Sequence, residues 1–401
     1  MGNRLTYCRY IVILLILAIS ACKKGPNSPE TQVGFIKEFN FSENVSYGAY
    51  IEQTKDNNLL IIGREGTSPG NLFICKTNLQ GNLLWHKSII KDTFTVDYIR
   101  SMNNGTYLSS DYNWFSMIDS SGNFLWSVNN ASVPSEYQGS DAIYSNGKYY
   151  QAFSNGYSNG GSASNNFVYV YDINHKYLNT YTYNDNGNVS GHTIWLDVIG
   201  TYPNGPLKIL GQKFCHQAWQ WTDPWKLFFG TTSGTALRDT VSVDDNQTRY
   251  SDNPLFFITK PDSGFVVIGT RSDHATNLSS ILMLNLDKNM ALKFEYTYSY
   301  NGFATGPQNV SQCKDGGYLI TGQYQNTLAN SNNNGYLLKI DANGNKEWEK
   351  SFSPAGSSVI RAGVELNDGS IAVTGSTTGF AKGKNGNDIL LMRLDASGNL
   401  K

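Results

Sequence analysis

The residues with the most chemical potential lie in one stretch, 212–226, which reads QKFCHQAWQWTDPWK and gathers His216, Trp219, Trp221 and Trp225. Trp219 and Trp221 fall on one face if the segment is extended, because side chains alternate with a period of two. Exposed indoles stack on sugar rings or on partner side chains, and they also plug or cover the edges of folded sheets. Tyr112 and Trp114 make a second, weaker ligand-binding candidate. Catalytic candidates are poor. The five histidines are scattered, with no H-x-H or H-E-x-x-H spacing, so no metal site is expected. Asp244 and Asp245 sit in a polar linker where solvation is the expected fate, and no G-x-S-x-G elbow or phosphate loop occurs. No catalytic residue and no cofactor is assigned.

Composition narrows the class. Charged residues are 16% and aromatics 13%, with 25 tyrosines. Low charge with abundant Tyr and Gly fits an all-β protein with many turns. The net charge of −1 gives no electrostatic case for nucleic acid. Cys75, Cys215 and Cys313 are far apart and lack C-x-x-C spacing, so buried single thiols are expected, with one bridging pair as the alternative.

Self-similarity carries the fold. Residues 315–352 contain DGGYLITGQ and then GYLLKIDANGNKEWEKSF; residues 368–401 contain DGSIAVTGS and then DILLMRLDASGNLK. Related copies begin near Asn57, Asn103 and Asp262, with fainter ones near Asn146 and Asn204. Each copy reads as four short strands joined by Asp/Asn-Gly turns, where glycine supplies a positive φ. The expectation is an all-β, seven-bladed β-propeller of four-stranded antiparallel blades. The N-terminal strand GFIKEFNF is expected to complete the last blade. The unit KIDANGNKEW, with MIDSSGNFLW, resembles the repeat of pyrroloquinoline-quinone-type (PQQ-like) propellers. That resemblance implies a packing role between blades for Trp85, Trp126 and Trp348. A quinone enzyme of that kind would need a calcium site and stacking residues, and neither is identifiable.

The beginning of the chain carries a different signal. Arg4 and Arg9 precede an apolar run from Ile11 to Ile19, as in a secretory signal peptide. The run ends at Ile19-Ser20-Ala21-Cys22, which resembles the bacterial lipobox. The resemblance implies cleavage before Cys22 and lipidation of its thiol. An ordinary signal peptide with an incidental Cys22 is the alternative, and Met1-Gly2 with Thr6 also matches a myristoylation pattern. The expected organisation is a signal at 1–21, a lipidated tether at 22–33 and a propeller domain at 34–401. It places the protein in the bacterial cell envelope, lipid-anchored at the outer membrane, with the membrane as a partner through Cys22.

Two functions compete. One is a non-catalytic binding or scaffold module for a protein or glycan. The other is a propeller enzyme, glycan-cleaving or quinone-dependent. A glycosidase needs two carboxylates roughly 5–10 Å apart across a cleft, and a binding face needs aromatic side chains with few carboxylates. The ligand-binding face is expected where the second-to-third-strand and blade-to-blade connections lie.

Overall fold

The computed structural model describes residues 34–41, 45–66, 71–89, 98–102, 104–110, 114–129, 137–155, 166–183, 192–201, 207–215, 226–233, 236–243, 250–325, 333–352, 356–379 and 387–400. The first strand, β1 (Phe35–Phe39), belongs to the sheet made by the end of the chain. The first consecutive sheet holds β2 (Ser46–Gln53), β3 (Leu59–Glu65), β4 (Asn71–Thr77) and β5 (Leu83–Ile89). The second holds β6 (Tyr98–Ser101), β7 (Thr106–Ser110), β8 (Trp114–Asp119) and β9 (Phe124–Asn129). The third contains eight strands. They are β10 (Tyr137–Ser145), β11 (Lys148–Asn155), β12 (Asn166–Asp172), β13 (Tyr177–Tyr183), β14 (His192–Thr201), β15 (Leu207–Cys215), β16 (Lys226–Ser233) and β17 (Ala236–Val243).

The fourth sheet holds β18 (Tyr250–Thr259), β19 (Phe265–Asp273), β20 (Leu278–Leu286) and β21 (Leu292–Tyr298). The fifth holds β22 (Ala304–Gln312), β23 (Tyr318–Gln325), β24 (Asn333–Ile340) and β25 (Lys346–Phe352). The sixth is ordered β1-β28-β27-β26, from β26 (Ser358–Glu365), β27 (Ile371–Thr377) and β28 (Asp388–Leu394). There β1 pairs antiparallel with β28 from Phe35↔Arg393 to Phe39↔Ile389.

The architecture is an all-β propeller of antiparallel blades, and the described residues form six sheets rather than the expected seven separate four-stranded blades. The difference lies in the third sheet. Its outer strands β13 and β17 run side by side in parallel through Thr182↔Ala236 and Tyr183↔Leu237, so the two faint repeats share one continuous sheet. Backbone pairing of this kind leaves no residue pattern by which sequence could reveal it.

Two repeated devices explain the local geometry. At the third turn of six repeats an Asp or Asn accepts two backbone N–H groups. Asp341 Oδ1 takes those of Asn343 and Asn345, each at 2.8 Å. Asn78, Asp119, Asp172, Asp287 and Asp395 do the same. The residue before the last acceptor-bonded one has positive φ, as at Gly344 (85°). That glycine also lies against the neighbouring blade, where a Cβ would stand 2.5 Å from the Tyr296 ring. Gly398 meets Trp348 in the same way, and Gly81 meets Phe35 of β1. Where the position is not glycine, the side chain is used instead: His175 stacks on Trp126 at 3.8 Å, and Met290 is buried in the core.

The second device is a β-bulge in the inner strand. Register shifts by one residue at Ala49 in β2, Leu255 in β18, Gln308 in β22 and Arg361 in β26. Opposite each bulge the second strand carries glycine, at Gly63, Gly269, Gly322 and Gly375. A Cβ there would lie only 1.9–2.2 Å from an inner-strand carbonyl oxygen. The repeated IIGR, VIGT, ITGQ and VTGS segments are therefore sites of close backbone approach.

Inner strands of neighbouring sheets contact one another, β2 with β26, β26 with β22 and β22 with β18, so these strands surround the axis. Second and third strands such as β3, β4, β27 and β28 are buried on both faces. Apolar layers lie between sheets, as where Ile61, Phe73 and Leu59 pack with Ala372, Ile389 and Leu391. A polar tie crosses the same gap: Arg393, held within its own sheet by Asp368 and by Ser370 Oγ (3.1 Å), donates to Leu79 O of the first sheet at 2.9 Å. Trp348 packs against the layer between the fifth and sixth sheets, and Trp126 and Trp85 against the layers around the second.

Gly375→Ala should destabilise the protein by about 1–3 kcal/mol in chemical denaturation, because a methyl group has no room beside Val359 O. The turn aspartates give a pH signature. Asn345 and backbone N–H groups hold the Asp341 carboxyl below the usual range, and the Gly264 N–H does the same for Asp262. Depressed folded values mean stability that is full above the unfolded Asp value of about 3.9 and is lost as pH falls through the folded value. The urea midpoint should therefore drop below about pH 4.

Candidate functional site

The described residues form a polar groove of about 490 Å³ at one end of the fourth sheet. It lies where β19 passes to β20 (Asp273 to Leu278) and where β21 passes to β22 (Tyr298 to Ala304). Its size falls within the range of small-ligand sites. The walls come from facing strand ends. Register places Asp252 opposite Arg271, and Arg271 opposite Ser280.

Arg271 organises the groove. It is 8% exposed, and its Nε and Nη2 donate to the two oxygens of Asp252, each at 2.7 Å. Nη1 donates to Glu295 Oε1 at 2.9 Å, and the Tyr250 ring centre lies 5.4 Å from the guanidinium carbon. The hydrogen bonds it donates to Asp252, then those to Glu295, raise the arginine above its ordinary range against the opposing effect of burial. Both carboxylates are thus tied to one cation and oriented. The Glu295 side chain remains 40% exposed, leaving its oxygens able to accept further hydrogen bonds at the mouth. Ser279, Ser280, Thr297 and Ser299 add hydroxyls, and Phe303 adds an apolar wall.

None of these residues stood out in sequence. The available signal is a single arginine ending the apolar run FVVIGTR, whose two carboxylate partners become visible only through strand register. The residues that did stand out lie elsewhere. His216, Trp219, Trp221, Trp225 and Tyr112, together with Cys22, Asp244 and Asp245, fall outside the described residues. Trp114 opens β8, where its backbone pairs with Asn129. Cys75 and Cys313 are free and buried, and burial pushes each thiol up to about 12, far from a reactive thiolate.

No protein family matches the chain. No curated protein matches it either. Some solved structures are partly similar to it. A protein of unknown function from Bacteroides caccae is 14% identical, with 73% of this chain and 93% of that one covered and a TM-score of 0.46. An endo-arabinase from Bacteroides thetaiotaomicron is 11% identical, covering 74% and 95%, with a TM-score of 0.36. The Neurospora crassa Pan2 WD40 domain is 12% identical, covering 87% and 89%, with a TM-score of 0.49. With identities and scores this low, nothing about activity follows from them.

Arg271→Met should cost about 3–5 kcal/mol in urea denaturation, because it leaves Asp252 buried without its cation. Glu295→Gln should cost less than about 1 kcal/mol, since that partner is largely solvated.

Proposed function

We propose that the protein is a non-catalytic binding module of the bacterial cell envelope whose ligand is a glycan. The observation that carries this reading is the groove beside Arg271. A carboxylate acceptor fixed by Arg271, that of Glu295, and a row of hydroxyls face the same space as Tyr250 and Phe303. Sugars present that combination in reverse, hydroxyl donors along the edges and apolar C–H faces for aromatic contact.

The segment with Trp219, Trp221 and Trp225 supplies a second contact in this proposal, from the connection between β15 and β16. Attachment to the membrane rests on the basic and apolar leader and on Ile19-Ser20-Ala21-Cys22. Acyl chains on Cys22 would anchor the protein at roughly 0.8 kcal/mol per buried methylene.

Calorimetric titration of the full-length protein with a panel of neutral oligosaccharides tests the groove. Binding should weaken about tenfold in Tyr250→Ala and in Glu295→Gln, as expected for loss of one charge-assisted or stacking contact. A folded wild type that binds no glycan would sink the reading. Release of reducing ends would replace it with the enzyme. Separately, Cys22→Ser should move the protein from the membrane to the soluble fraction of producing cells.

A further inference from the structure

Three inner strands bring Arg361, Gln308 and Tyr47 together at the propeller axis. Arg361 and Gln308 are the extra residues of equivalent bulges in β26 and β22. The bulge is what aims them: it removes each from the ladder and turns its side chain out of the regular alternation. Arg361 Nη1 donates to Gln308 Oε1 at a long 3.4 Å. The guanidinium carbon lies 4.2 Å from the centre of the Tyr47 ring.

The remaining edge of this guanidinium sets it apart. Arg361 Nε is buried, and neither it nor Nη2 meets an acceptor among the described residues. Those two N–H groups form the side-on fork that fits a carboxylate with two parallel hydrogen bonds. Arg271 shows the fork in use, with Nε and Nη2 each 2.7 Å from an oxygen of Asp252. Arg393 also has its donors satisfied, by Ser370, Leu79 and Asp368. Burial lowers the Arg361 pKa from the ordinary arginine value, and no described carboxylate offsets it. A buried cation without an anion is costly, and a ligand that supplies one recovers that cost on binding.

We propose that the axis of the propeller holds a carboxylate-binding site. The Nε–Nη2 edge of Arg361 grips the carboxylate of a small ligand, Gln308 fixes the guanidinium, and the Tyr47 ring backs it. The site is separate from the groove of the fourth sheet and does not depend on the glycan reading. A lysine in place of Arg361 keeps the charge but loses the fork.

Thermal unfolding of the full-length protein tests the site with succinate, inorganic phosphate and glycerol at one ionic strength fixed with sodium chloride. Succinate should raise the melting temperature by several degrees at saturation, and glycerol at the same concentrations should not. Arg361→Gln should remove the rise while melting, without ligand, at or above the wild-type temperature. Arg361→Lys should need at least about tenfold more succinate for the same rise. Gln308→Ala, which leaves the fork in place, should weaken succinate binding roughly 3- to 10-fold. No rise with succinate in the wild type, or an equal rise in Arg361→Gln, overturns the proposal. A larger rise with phosphate than with succinate overturns the assignment to a carboxylate.

Discussion

In the blades of β2, β18, β22 and β26, one carbonyl of the inner strand occupies the space that a second-strand Cβ would fill. Val359 O against Gly375 is the tightest case, and Tyr47 O, Asn253 O and Gly306 O repeat it against Gly63, Gly269 and Gly322. Much else depends on that approach. It permits the one-residue bulge, and the bulge adds twist to a strand that must curve around an axis. It also separates the inner strand's outward positions from the regular alternation of the sheet. With a side chain in place of that glycine, the inner strand would have to run straight or lift off its neighbour.

The same constraint divides the molecule into regions with different chemistry. Second and third strands, flat and flanked on both faces, carry near-continuous apolar runs such as LLII in β3 and ILLM in β28. Their burial between sheets leaves polar function to the axis and to the strand ends. At the ends, connections vary in length without disturbing the layers, and one of them frames the groove around Arg271. At the axis, bulges on neighbouring sheets set side chains from different repeats at one level, which is how Gln308 reaches Arg361 across 53 residues of sequence. A propeller scaffold hosts many unrelated activities. Here Arg271, at a strand end, is matched by two carboxylates, while Arg361, at a bulge on the axis, meets none among the described residues.

The residues legible in advance were those with strictly local roles. The Asp that caps its own turn, the glycine three residues on and the Trp after it recur at fixed spacing, because each acts within a few residues or against the next copy of the same repeat. Trp348 against Gly398 and Trp126 against His175 show that packing directly. The faint third and fourth repeats were misleading for a related reason. Counting turns assumes that each repeat makes its own sheet, whereas β13 and β17 join two of them through backbone pairs that any side chains would permit. The groove was invisible because its parts are local only in space: Asp252, Arg271 and Glu295 lie on three strands, with spacing set by loop lengths and register.

By itself, then, the sequence determined the β class, the turn chemistry with its glycines, and the recurrence of the repeat. These properties follow from φ preferences, side-chain alternation and composition, all of which are expressed over a few residues. Tertiary structure decided how many sheets the repeats make, which charges are matched, and which side chains meet at the axis. Those outcomes depend on distances between segments far apart in the chain. Arg271 and Arg361 are each one arginine in one strand, and only the folded chain gives the first two carboxylates and the second an amide and a tyrosine ring.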